Sequence, residues 1–233
     1  MYFLLNMKKE VEFIFSEIKA LFEENSDTDN AIKMEAYMKG HFKMYGIKTP
    51  LRKDLLKPFY AEAKALSKPD LISLVNQLWN AEQRDYQYTA MEFLQRNKKK
   101  FVIDDIDFLE RLLVTKSWWD SIDMLASHMI GHVFKMDIKI RDKWLEKWMA
   151  SDNMWLQRTC LIFQLKYAKE TDLDLLKSLI LELKPINEFF VQKAIGWSLR
   201  QAARFYPADV IAFVEENEGL SNLAKREALK HFL

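Results

Sequence analysis

Asp123 is set apart by the residue types that recur around it at helical spacing. Trp119 lies four residues before it, and Arg158 lies 35 residues after it. Lys193 follows a further 35 residues on, with Trp197 and Arg200 four and seven residues beyond that lysine. Such a set has a definite chemical use. Arginine forks bidentate onto phosphate oxygens, and lysine offers them a point charge. Tryptophan faces attract cations and pack against sugar or base. A carboxylate in that company repels phosphate, so it needs a task of its own. Stabilising a sugar oxocarbenium ion and orienting a water molecule is one that fits.

These residues become neighbours only if the chain repeats. The segments QYTAMEFL (87–94), QRTCLIFQ (157–164), QKAIGWSL (192–199) and KREALKHF (225–232) align without gaps. A fifth, degraded copy falls at 122, inside SWWDSIDMLASH. A period of about 35 residues signals stacked helix pairs, as in α-solenoids. Apolar residues recur at helical spacing almost throughout, without persuasive two-residue alternation. Helices are expected near 3–24, 29–39, 50–65, 69–80, 83–97, 104–114, 117–134, 138–150, 154–168, 171–182, 187–205, 207–217 and 221–232. Thr49-Pro50 reads as an N-cap with a first-turn proline, and Ser67 and Ser117 suit the same capping role. No linker interrupts the series. The expected fold is all-α, a single α-solenoid of stacked antiparallel helix pairs over residues 1–233, with a concave groove. In it Tyr88, Asp123, Arg158, Lys193 and Arg226 share one stripe, with Trp119, Trp197 and Arg200 leaning onto it.

A second basic segment, 39–57, carries Lys39, Lys43, Lys48, Arg52, Lys53 and Lys57 against Asp54 alone. Tyr37, Phe42 and Tyr45 are interleaved with these cations, the pattern of a nucleic-acid contact surface, although a solvated helix rim has the same composition. Blander readings exist for the other residues too. Asp123 and Arg158 could form a structural ion pair between repeats, a role compatible with chemistry. Asp120 competes as the working carboxylate but also suits a helix's first turn. His128 and His132 have the spacing of a metal pair without a third ligand, so no metal or cofactor is expected. Cys160 reads as a small core thiol, and Trp79, Trp144, Trp148 and Trp155 as packing residues.

Composition narrows the remaining classes. Apolar residues make up 49% and charged ones 30%, with five glycines and five prolines, too few turn formers for a sandwich, barrel or glycine-rich nucleotide fold. The longest uncharged run, 124–134, is 11 residues, and a membrane span needs about 20. The opening MYFLLNMKK places its apolar stretch before the lysines, the reverse of a secretory signal. The single cysteine excludes an internal disulfide. These features point to a cytoplasmic address, and a monomer is expected. The net charge of +1 supplies no global field, so any nucleic-acid binding must use a local basic face.

Five motifs carry a resemblance. YMKGHFKMYGIKTPLRK (37–53), Trp79-Asn80 with Arg84–Tyr88, Lys116–Asp123, Trp155–Arg158 and Gln192–Trp197 resemble, in order and spacing, the AlkD-type alkylpurine DNA glycosylases. That resemblance implies a right-handed α-solenoid of HEAT-like repeats, with Asp123 as the catalytic carboxylate, Trp119 and Trp197 as sugar-facing aromatics, Arg158 as a phosphate contact and Tyr37 as a further groove aromatic. It implies hydrolysis of the N-glycosidic bond of cationic purines such as 3-methyladenine and 7-methylguanine in double-stranded DNA, with the base left stacked. Lys193, Arg200, Arg226, Lys43, Lys48, Arg52 and Lys53 are the expected DNA contacts. Two other readings stay open: a non-catalytic DNA-binding protein on the same scaffold, and a protein-binding solenoid.

Overall fold

A computed structural model describes the backbone of residues 2–232 and the side chains from residue 10 to 232. The opening stretch 1–9, read above against a secretory leader, lies outside the described side chains. All regular structure among the described residues is helical, and it falls into two compact units, 1–101 and 102–233.

The first unit holds α1 (Tyr2–Glu24), α2 (Thr28–Tyr37), α3 (Thr49–Leu55), α4 (Lys57–Ala65), α5 (Lys68–Asn80) and α6 (Arg84–Arg96). α5 shows why these segments are helices and which face they bury. Leu71, Leu74, Val75, Leu78 and Trp79 recur at three- and four-residue steps and are all buried. α5 packs on both α1 and α6. Ser67 caps α5 as expected, accepting a hydrogen bond from the Asp70 amide. The single helix expected over 50–65 is instead two, broken at Leu56. Pro58 causes the break, because it has no amide hydrogen to continue the first helix and starts the second. Thr49 is the first residue of α3 rather than its cap, which is Lys48.

The α2–α3 connection is tied down from both sides. Buried Asp85 on α6 accepts the Tyr45 amide at 2.8 Å through Oδ2. Gly46 has φ +81°, and a Cβ there would lie 2.0 Å from the Asp27 carbonyl oxygen at the start of α2. Only glycine permits that approach.

The second unit holds α7 (Ile106–Val114), α8 (Trp119–Met124), α9 (Gly131–Phe134), α10 (Ile138–Met149), α11 (Met154–Ile162), α12 (Leu173–Leu183), α13 (Phe189–Ala202), α14 (Pro207–Glu216) and α15 (Asn222–Ala228). α8 and α9 are one continuous helix joined by a π-helical turn, Leu125–Ile130. A π turn accommodates an extra residue in the helix. It sits in the degraded repeat copy, which accounts for the blurred pattern there. The second helices lie side by side, α8 against α11, α11 against α13, and α13 against α15. This is the all-α repeat arrangement that the period implied.

The glutamine that opens three of the five copies has a structural task. Gln87 donates its Nε2 to the carbonyls of Leu78, Trp79 and Ala81, where α5 ends. Gln157 does the same for Ser151 and Gln192 for Lys184 and Ile186. In these three pairs the second helix thereby satisfies orphan carbonyls at the end of the first. The degraded copy has buried Ile122 at this position. There Ser117 donates to the Leu113 carbonyl at 2.6 Å and closes α7, rather than capping α8 as its sequence position suggested.

Candidate active site

Asp123 occupies the last turn of α8, immediately before the π turn, and Ser127 within that turn donates to its carbonyl at 2.6 Å. Arg158 projects from the adjacent α11. Its Nε and Nη2 both reach Asp123 Oδ1, at 2.9 and 2.8 Å. Its Nη1 donates to the Phe190 carbonyl at 2.6 Å. The guanidinium lies 6.0 Å from the Phe190 ring and 5.9 Å from that of Trp197. Beneath it, the rings of Trp118, Trp155 and Phe190 form a trio with centroids 5.0–5.7 Å apart. α11 is fixed for this role by Asn153, whose Oδ1 accepts the Trp155 amide at 2.9 Å.

The pair leaves one carboxylate oxygen uncommitted. Oδ2 of Asp123 takes no hydrogen bond among the described residues, and the side chain is 20% exposed. Asp123 lines a cavity of about 530 Å³ together with Asp120, His128, Trp197, Lys166 and Arg204. Burial pushes the Asp123 carboxyl above the ordinary range, the Arg158 charge pulls it back down, and Asp120 adds a smaller upward push. The guanidinium therefore counteracts desolvation and favours the anion.

The residues expected on the stripe are not all equivalent. Trp197 lines the cavity with Asp123, whereas Trp119, half-buried in the first turn of α8, does not. Arg158, expected as a phosphate contact, is only 4% exposed and has all three nitrogens engaged. Its first task is holding Asp123. Lys193 and Arg200 both pair with Glu227, at 2.8 and 2.7 Å. Hydrogen bonds from Lys193 and then Arg200, against some burial, hold the Glu227 carboxyl down to about 2. Arg226 is exposed, and Glu227 takes the inward place expected of it. Gly196 makes this approach possible, since a Cβ on it would lie 2.4 Å from that of Glu227 and 2.7 Å from the Ala224 carbonyl oxygen.

In the first unit, Tyr37 is 68% exposed and lines a separate cavity of about 350 Å³ with Lys48, Tyr88 and three methionines. Lys43 and Lys53 are exposed, with Lys43 3.7 Å from Glu35. Arg52 departs from its expected role at the surface. It is 6% exposed, with its guanidinium 4.7 Å from the centre of the Tyr88 ring, and burial lowers its pKa. The alternation in α3 explains this, because Arg52 lies on the core side and Lys53 on the solvent side of one short helix.

Sequence reasoning missed Phe190, Glu227, Lys166 and Arg204. One of them had a signal. Counting about a full period from Lys193 reaches 227–228, whereas the gapless motif alignment slipped the last copy onto Arg226. Cys160 is buried, with its thiol pushed up by desolvation. No three His, Cys, Asp or Glu side chains converge as a metal site among the described residues.

Stacked helix pairs carrying a largely buried carboxylate–guanidinium pair beside a cavity lined by Trp197 define a helical-repeat protein with a polar candidate site. The chain matches the DNA alkylation repair enzyme family over residues 18–232, and it belongs to that family. A solved structure described as a predicted DNA alkylation repair enzyme from Enterococcus faecalis is 32% identical in sequence, with a TM-score of 0.82. The match covers 88% of this chain and 96% of that one. No curated protein matches the chain. Among the described residues no helix is long and apolar enough to cross a membrane.

Proposed function

We propose that this DNA repair protein is a monofunctional alkylpurine DNA glycosylase. Its substrates are cationic purines such as 3-methyladenine and 7-methylguanine in double-stranded DNA, and it leaves the damaged base stacked. The observation that carries this reading is Asp123 itself: Arg158 engages one oxygen, the other takes no hydrogen bond among the described residues, and the residue lines a cavity with Trp197.

The chemistry asks little more of the protein. An alkylated purine is already positively charged, so the C1′–N bond breaks with its electron pair passing to the base, which leaves neutral. Positive charge grows on the deoxyribose instead. Asp123 meets that charge at Oδ2, and the Trp197 face adds a cation–π contribution. Unit charges about 4 Å apart interact by about 4 kcal/mol in a partly screened site. That corresponds to about a thousandfold in rate. Water then adds to C1′, and its proton passes to the Asp123 carboxylate and on to solvent. Arg158 keeps the carboxylate oriented throughout and ionised until water adds.

The test is incubation with methylated duplex DNA and chromatography of the released bases. Free alkylpurine should appear with the wild-type protein. Asp123→Asn should lower the single-turnover rate on the order of a hundred- to a thousandfold, as loss of one transition-state contact does, with DNA affinity nearly unchanged. Equal rates in the two proteins would remove Asp123 from the mechanism. A base-analogue fluorophore placed beside the lesion should keep its quenched, stacked emission on binding.

A further inference from the structure

Two kinds of cation stand on the Asp123 stripe or line its cavity. Arg158, Lys193 and Arg200 are each held by a carboxylate of the protein. Lys166 and Arg204 are both exposed, and neither makes an ion pair or a side-chain hydrogen bond among the described residues. Both line the cavity that holds Asp123 and Trp197. Lys166 comes from the turn after α11, and Arg204 from the chain just beyond α13. Arg204 also lines a neighbouring cavity of about 520 Å³, together with Arg200, His231 and Phe232.

Two free cations at the rim of a reaction site have a particular significance here. The cavity holds two acidic side chains, Asp120 and Asp123, yet neither pairs with Lys166 or Arg204 among the described residues. An unpaired guanidinium keeps five donors in a fork that matches two phosphate oxygens. The paired arginines have given up much of that capacity. Arg158 is also too deeply buried to reach outward.

We infer that Arg204 and Lys166 are the phosphate clamp of this site. They grip backbone phosphodiesters on either side of the damaged nucleotide, and Arg204 leads the strand from the Asp123 cavity into the neighbouring one. The inference rests on the proposal that the substrate is DNA, and it deepens that proposal by naming what holds the strand. Anchoring the two flanking phosphates places C1′ against Asp123 without a pocket for the base, and binding is separated from chemistry. The clamp fixes position, and the carboxylate acts on charge.

The experiment measures affinity for a duplex carrying a stable abasic-site analogue, by fluorescence anisotropy over a range of sodium chloride concentrations. Each neutralised phosphate contributes about 0.9 to the slope of log K against log salt. Arg204→Ala and Lys166→Ala should each make the slope shallower by about that amount, and the double variant by about twice it. Affinity at low salt should fall about tenfold per substitution, the size of a charge-assisted contact. In single-turnover excision the half-saturating enzyme concentration should rise in parallel. Arg204→Lys should keep the slope and lose affinity, because it keeps the charge and loses the fork. Lys143→Ala, an exposed lysine on α10 lining neither cavity, should change nothing.

A wild-type slope in the double variant overturns the clamp and leaves the glycosylase reading intact. Absence of base release by the wild-type protein overturns the glycosylase reading, while the slopes still decide the clamp. Failure of the wild-type protein to bind the duplex overturns both.

Discussion

At the scale of single residues, the Asp123–Arg158 pair sets the acidity on which the proposed chemistry depends. Burial raises the carboxyl pKa and Arg158 lowers it, so the two influences oppose each other. The carboxylate is the working form. Activity should fall as pH drops through the Asp123 pKa, which desolvation places above the ordinary range. Arg158→Met removes the downward pull, so the acid limb of the single-turnover pH profile should move to higher pH. The same variant leaves a largely buried carboxylate unpaired, at a cost of about 3–5 kcal/mol when burial is complete. With Asp123 20% exposed, the lower end is expected in urea denaturation. The pairing itself was readable in the sequence from the 35-residue period. The Phe190 carbonyl that takes the remaining guanidinium nitrogen was not, because a backbone acceptor leaves no residue type to recognise. Lys166 and Arg204 escaped for a related reason. They lie in turns after helices, where helical phase gives no direction.

Helix pairs are joined by a device that only the repeat alignment reveals. Gln87 is fully buried and supplies one amide to three carbonyls at the end of α5. Gln87→Leu keeps the approximate volume but leaves those carbonyls without that donor. A buried polar group deprived of its partner costs about 1–3 kcal/mol. A loss on the order of 3 kcal/mol is therefore expected, seen as a lower urea midpoint with an unchanged slope. Helices were broadly readable because the apolar spacing is regular and turn residues are few. Their ends were less so. The helix expected over 154–168 stops at Ile162, where Gln164 turns back to accept the Asp172 amide and donate to its carbonyl. The π turn after Asp123 was hidden as well, since one extra helical residue weakens a pattern without replacing it.

For the whole molecule, the decisive quantity is how charge is distributed. Acidic and basic residues nearly cancel, leaving +1. Association with DNA must therefore depend on the few exposed cations near the two cavities and on the exposed lysines of the first unit. A few contacts at about 0.9 each give a salt slope no steeper than about −5 for the wild-type protein. A much steeper slope in the anisotropy titration would mean that a wider basic face is engaged. Composition made this readable at once, but it could not show that Glu227 already occupies Lys193 and Arg200. The stripe of cations looked stronger in the sequence than it is.

The carboxylate and the guanidinium that hold the centre together come from separate, adjacent second helices, joined by contacts of 2.8 and 2.9 Å. A hydrogen bond is lost within the first ångström of separation, and Coulomb attraction weakens as the inverse of distance. The acidity of Asp123 is consequently a gauge of the gap between α8 and α11. Crowding, a distant cavity or a loosened repeat that parts these helices slightly would register as a drift in the titration of one side chain while the helical content stayed the same. Carboxyl-carbon NMR of Asp123 would thus report mechanical slack in the scaffold before unfolding does.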